Sequence, residues 1–149
     1  MPKGNPDLPP NPPSKEDYEL IAEFRYKLRL FLRFSEEAAH RNGLTPQQYQ
    51  ALLAIEGFPG QNHATVGELA ERLQTAHHSA VGLIDRLEKR GLVCRNPAPD
   101  DGRKVSVTLT REGRAVLEKI FRLHREELRS VGPQLAQLLH KAADTLRIS

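Results

Sequence analysis

His77, His78, Ser79 and Arg86 stand close together in the middle of this chain, and Arg95, Arg103 and Lys104 follow shortly after. Imidazole, hydroxyl, ammonium and guanidinium groups donate hydrogen bonds to phosphate oxygens and base edges, and a side chain such as Val81 can meet a thymine methyl. This is recognition chemistry. Bond-breaking chemistry has no comparable signature: there is no Gly-rich phosphate loop, no nucleophile elbow and no CxxC pair, Cys94 being the only cysteine. His77 and His78 are neighbours, and neighbours on a helix diverge by about 100 degrees, so they are poorly placed to share one ion. No enzyme activity, metal or cofactor is expected.

The elements that must hold these groups are legible around them. Thr65 to Glu68 spells a capping box, opening a short helix with Leu69, Ala70 and Leu73 inward. Gln74 to Ala76 makes a turn. A second helix from His77 to Arg90 directs Ala80, Leu83, Ile84 and Leu87 to the core, which leaves His77, His78, Ser79, Val81 and Gly82 outward with Arg86 one turn beyond. Gly91 and Leu92 then form a left-handed glycine cap with an apolar closing contact. Val93 to Asn96 reads as a strand and Pro97 to Gly102 as a hairpin tip. The return strand alternates Val105, Val107 and Leu109, packed, with Lys104, Ser106 and Thr108, wet. Helix, turn, helix and basic hairpin in this order make a winged helix-turn-helix, which presents a helix end and a charged loop together.

Helices flank this lobe. Residues 1–14 hold six of the eleven prolines and little that can pack, so they read as a disordered arm. Ser14 and Asp17 can cap a long helix running to about His40. Its apolar positions form more than one stripe: Tyr18, Ile21, Leu28, Phe31, Leu32 and Ala39 on one side, widened by Leu20, Phe24, Leu30 and Phe34. One stripe suffices for a helix wet on its other side. The extra surface is covered either by a second subunit or by burial within its own. Thr45-Pro46-Gln47-Gln48 starts another helix, with Tyr49, Leu52, Leu53 and Ile55 on its core side, ended by Gly57 and Pro59. Thr110 begins a long helix expected to break at Gly132 and Pro133 before a last helix through Leu146. The division expected is an arm at 1–14 and one domain at 15–149, with flanking helices at 15–44 and 111–149 around a lobe at 45–110.

With 22 Lys and Arg against 19 Asp and Glu, the net charge of +3 is too small to imply nucleic acid by itself. Its distribution says more. Nine basic residues against five acids lie between Arg72 and Arg114, on the helices and hairpin just described. A single cysteine fits a reducing cytoplasm, and neither a signal peptide nor a membrane helix is legible.

The run LIDRLEKRGLVCRNPAPDDGRKVSVTLTREGRAVL resembles the MarR family of bacterial winged-helix regulators. The likeness lies in the DRLEKRGLV helix end, the Asp-x-Arg at Asp101 to Arg103, the strand ending in LT and the REGR helix start. LTPQQYQALLAI is similar to the family's second helix, so the resemblance extends from about Tyr18 onward. It implies a homodimer whose end helices interlock, two winged lobes on adjacent turns of a palindromic operator, and a small-molecule effector cleft where each lobe meets the dimer helices. A ligand-responsive repressor is the function expected. The alternative is a winged-helix module for protein interaction or dimerisation that has lost DNA binding.

Roles follow from this frame. The outward residues of the second helix would enter the major groove, although the family often has a longer donor near positions 77 and 82, where this chain has His77 and Gly82. Gly82 either admits close backbone approach to DNA or is merely tolerated. Arg103 matches the family's wing arginine for the minor groove, with Asp101 or Asp85 to orient its guanidinium. Arg95 and Lys104 are expected phosphate contacts. Phe24, Leu28, Phe31, Tyr49, Leu52 and Leu53 are either effector-cleft or core residues. Some family members sense peroxide through cysteines of the first helix; Cys94 lies on the strand after Gly91 and reads as a packed thiol.

Overall fold

The structure, a computed structural model, describes residues 11–100 and 102–145. Asp101, Leu146 and most of the proline-rich arm lie outside the described residues. The chain runs α1 (Lys15–Arg41), α2 (Pro46–Glu56), β1 (His63–Thr65), α3 (Val66–Leu73), α4 (His77–Lys89), β2 (Val93–Pro97), β3 (Val105–Leu109) and α5 (Arg111–Thr145). This is the mainly helical winged helix-turn-helix expected, with α3 and α4 as its two helices and β2 and β3 as its wing.

Local chemistry starts the helices where it should. The Asp17 amide donates to Ser14 Oγ and the Ser14 amide to Asp17 Oδ2, closing a capping box ahead of α1. Thr45 with Gln48, and Thr65 with Glu68, do the same for α2 and α3. Each arrangement satisfies amides that a helix start would leave unpaired.

The described residues fall into two compact units. One comprises those up to Leu32 together with those from Glu127 onward; the other is Arg33–Glu126. In the first unit Leu20, Val131 and Ala142 are buried, whereas Tyr18, Leu30 and Leu32 of α1 and Leu128 and Leu139 of α5 are exposed. In the second, Leu52, Ile55, Leu69, Ile84, Leu87, Val107 and Ile120 are fully buried and form the centre of the core.

Four features depart from the sequence reading. Helix α5 is unbroken through Pro133. A proline removes one amide and crowds the preceding turn, but it need not end a helix that continues on both sides; Gln134 Nε2 supplies an added donor to the Ser130 carbonyl at 3.3 Å. The three residues of β1 form a strand only by pairing with β3, making a sheet of order β1-β3-β2. That flanking strand explains the third departure: Ser106 of the central strand lies opposite both Thr65 and Asn96 and is buried, while Val105, at the outer end of the hairpin, is exposed. Leu53, expected in the core, is also exposed.

Candidate nucleic-acid interface

The turn between α3 and α4 is set by Gln74, whose φ of 52° is left-handed. That conformation is costly for a residue with a Cβ. Its side chain helps by donating to the Glu71 carbonyl at 2.7 Å, while the Thr75 amide reaches the Ala70 carbonyl at 3.0 Å. Helix α4 then buries Ala80, Leu83, Ile84 and Leu87 and leaves His77, His78, Ser79 and Arg86 exposed, with Val81 and Gly82 half-buried. Of the six expected to face outward, four are exposed and two are partly covered. Unlike α2 and α3, α4 begins at Ala76 without a side-chain cap; the Ser79 amide turns back to the Ala76 carbonyl at 3.1 Å, which leaves the amides of His77 and His78 and the positive end of the dipole to an outside acceptor.

Arg86 lies beside Gly82. A Cβ built on Gly82 would meet Arg86 Nη1 at 3.4 Å, an ordinary contact, so nothing in the free protein demands glycine there.

The far end of α4 is locked to its surroundings. Gly91, at φ 72°, turns the chain, and the Leu92 amide donates to the Leu87 carbonyl at 3.0 Å, the six-to-one bond of a glycine-capped helix end. Arg90 Nη1 donates to Gln48 Oε1 at 2.9 Å, and that oxygen also caps the α2 start. Thr110 returns the wing to the same place: its amide donates to the Leu92 carbonyl at 3.0 Å and its hydroxyl to the Gly91 carbonyl at 2.6 Å. Gly113 packs so closely that an added Cβ would lie 2.1 Å from the Leu92 oxygen. The LTREG run thus has a physical reason: the threonine caps α5 and the glycine lets α5 touch backbone.

The wing differs from expectation in its charge pairing. Arg95 Nη2 donates to Asp85 Oδ1 at 2.6 Å, and Nη1 to Glu88 Oε1 at 2.9 Å. Asp85, one of two residues expected to orient Arg103, is therefore engaged by Arg95; the other, Asp101, lies outside the described residues. Arg95, expected on phosphate, is held against α4 by these two bonds. The reason is strand alternation: Arg95 pairs with Val107 and shares the face of Val93 and Leu109, which packs inward. Hydrogen bonding to Asp85 chiefly holds its pKa up. Arg103 and Lys104 are exposed at the hairpin end, and the Lys104 carbonyl accepts from the Ala98 amide at 2.9 Å. Cys94 and Asn96 occupy the opposite sheet face, where Cys94 Sγ lies 3.2 Å from Thr108 Oγ1. The thiol is half-buried.

The six effector-or-core candidates separate. Leu52 is fully buried, and Tyr49 is buried with its hydroxyl hydrogen-bonded to His124 Nδ1. Desolvation raises the Tyr49 phenol to about 12 and lowers His124, against which the Ser35 carbonyl favours protonation. Leu53 instead faces an open groove of about 370 Å³ with Glu56, Gly57, Arg114, Leu117, Glu118 and Phe121. Phe24, Leu28 and Phe31 are half-buried on α1 in the other unit. His124 carried no sequence signal beyond its place on an apolar helix face.

This arrangement of α3, turn, α4 and wing has counterparts. The MarR family profile matches residues 42–104. The uncharacterised HTH-type transcriptional regulator Mb0904 of Mycobacterium bovis is 33% identical over 116 residues, which cover 78% of this chain and 79% of that protein. The chain belongs to the MarR family. The transcriptional activatory protein BadR of Rhodopseudomonas palustris is 38% identical over 81 residues, 54% of this chain and 46% of BadR. The HTH-type transcriptional repressor YetL of Bacillus subtilis is 32% identical over 90 residues, 60% of this chain and 53% of YetL. The matches thus span about half the length of these two relatives. Among solved structures, a mutant of MarR from E. coli complexed with operator DNA superposes with a TM-score of 0.62 at 27% identity, covering 85% of this chain and 94% of that one.

Proposed function

We propose that this MarR-family protein is a DNA-binding transcriptional regulator, a ligand-responsive repressor that binds a palindromic operator as a homodimer. The observation carrying this reading is the exposed start of α4, uncapped and bearing His77, His78 and Ser79, beside a wing with Arg103 and Lys104 exposed. Open amides and cationic side chains suit phosphates, and the outward positions of α4 suit base edges. The relationship to a repressor and to a protein solved with operator DNA supports it.

The apolar side chains left exposed on α1 and α5, Tyr18 at 62% and Leu139 at 54% among them, support a second copy as their cover. In this reading α1 and α5 make the dimer and the residues between them form the DNA-binding lobe. The groove at Leu53, Leu117 and Phe121 offers an effector apolar contact. No described helix is long and apolar enough to cross a membrane, and a cytoplasmic regulator is the consistent assignment.

The test is a gel-shift titration at fixed salt with the gene's own upstream inverted repeat. Arg103→Ala should weaken binding by about tenfold or more while the dimer stays folded. Unchanged affinity in that variant would remove Arg103 from the interface, and no binding by the unaltered protein to any upstream repeat would remove the function.

A further inference from the structure

Arg95 looks, in sequence, like one more basic residue on a DNA-binding wing. Its surroundings say otherwise. The guanidinium bridges two carboxylates of the recognition helix, Asp85 and Glu88, one helical turn apart, through bonds of 2.6 and 2.9 Å. Only 26% of its side chain is exposed, against 54% for Asp85 and 43% for Glu88. The three groups together carry a net negative charge, so a phosphate approaching Arg95 would meet two carboxylates that already occupy its fork. A planar guanidinium gripping two acceptors on another element also fixes direction, which a point charge does not.

We propose that Arg95 is a positioning residue, setting the angle of the wing to the recognition helix, and that Asp85 and Glu88 withhold its charge from DNA. The arrangement is a specificity device. Arg103 is carried on the loop that β2 leads into, so its placement in the minor groove depends on how β2 is tied to α4. Sequestering one arginine also limits the sequence-independent attraction to phosphates, which every duplex offers equally. This inference rests on the DNA-binding reading above and goes beyond it, assigning Asp85, Glu88 and Arg95 to the ratio between cognate and non-cognate binding.

The experiment measures affinity of the full chain for the upstream palindrome and for a scrambled duplex, across about 50 to 200 mM salt, where each phosphate contact contributes about 0.9 to the slope of log K against log salt. Four proteins are compared: the unaltered chain, Arg95→Met, Arg95→Lys and the double variant Asp85→Asn with Glu88→Gln. Methionine keeps the stem over the sheet, and circular dichroism with thermal melting reports whether each variant is folded. Arg95→Met should lose about tenfold in affinity for the palindrome with its salt slope unchanged. Arg95→Lys should resemble it, since lysine keeps the charge and loses the fork. Freeing Arg95 in the double variant should steepen the slope by about 0.9, tighten binding to the scrambled duplex and reduce the cognate-to-scrambled ratio.

A shallower slope in Arg95→Met, or full affinity in Arg95→Lys, would make Arg95 a phosphate contact and overturn the proposal alone. So would a double variant whose slope and ratio match those of the unaltered chain. Absence of salt-dependent binding by the unaltered chain to either duplex would overturn the DNA-binding reading and this one with it.

Discussion

Replacing Gly113 by alanine should destabilise the protein severely, although alanine is the better helix former. Gly113 lies in the first turn of α5, and its added Cβ would sit 2.1 Å from the Leu92 oxygen, 3.0 Å from the Leu92 carbon and 3.4 Å from Leu109 Cγ. The two nearest obstacles are backbone, so no side-chain rotation relieves them. The Leu92 carbonyl would have to retreat by roughly 1 Å from a contact this far inside van der Waals range. That carbonyl accepts the Thr110 amide, and the adjacent Gly91 carbonyl accepts the Thr110 hydroxyl. Strain of about 1–3 kcal/mol adds to about 1 kcal/mol for each bond disturbed. Helix propensity returns at most about 1 kcal/mol. The net loss expected is about 2–4 kcal/mol, which at a urea m-value near 2 kcal/mol/M lowers the midpoint by about 1–2 M. Gly67→Ala is the control, because nothing lies within 4 Å of the Cβ it would add. It should leave the midpoint unchanged or raise it. A Gly113→Ala midpoint within about 0.3 M of the unaltered protein would refute the packing of α5 on the Gly91–Leu92 joint.

Gly82→Ala has room in the free protein and should stabilise α4 by up to about 1 kcal/mol; a fall in operator affinity of tenfold or more despite that gain would identify close backbone approach to DNA, and unchanged affinity would identify simple tolerance. His124 is buried and held below its ordinary value of about 6.5, so the unfolded chain binds more protons near that pH. Its contribution to stability is complete above about 6.5 and declines as pH falls toward the lower folded value. Melting temperatures measured from about pH 7.5 down to 5.5 should therefore decline more steeply for the unaltered protein than for His124→Gln, and parallel curves would show that His124 does not titrate differently on folding.

The fold was legible because its signals are local. Capping boxes at Thr45 and Thr65, the glycine turn at Gly91 and the apolar spacing of Ala80, Leu83, Ile84 and Leu87 each operate within a few residues, and each stands where it was read. The features that escaped are settled by partners far along the chain. His63–Thr65 is too short for any periodicity and becomes a strand only against β3. Ser106 looked wet on alternation alone, and burial came from having a strand on each side of it. Pro133 was an over-weighted local signal: it weakens one turn, whereas the apolar spacing on either side extends through it.

The same distinction separates the two arginines of the wing. Arg95 was assigned to phosphate by its charge, yet alternation along β2 already placed it with Val93 on the inward face. Asp85 and Glu88 are three apart on the helix that Gly91 joins directly to that strand, so the tight turn brings strand and helix flank together. Combining the strand period, the i, i+3 spacing of two acids and the shortness of the joint would have predicted the bridge. Arg103 is different in kind, because it lies beyond the paired strands, where no periodicity constrains its direction. The direction of a basic residue inside a wing strand is therefore governed by register before it is governed by charge, whereas register leaves the direction of those in the hairpin loop open.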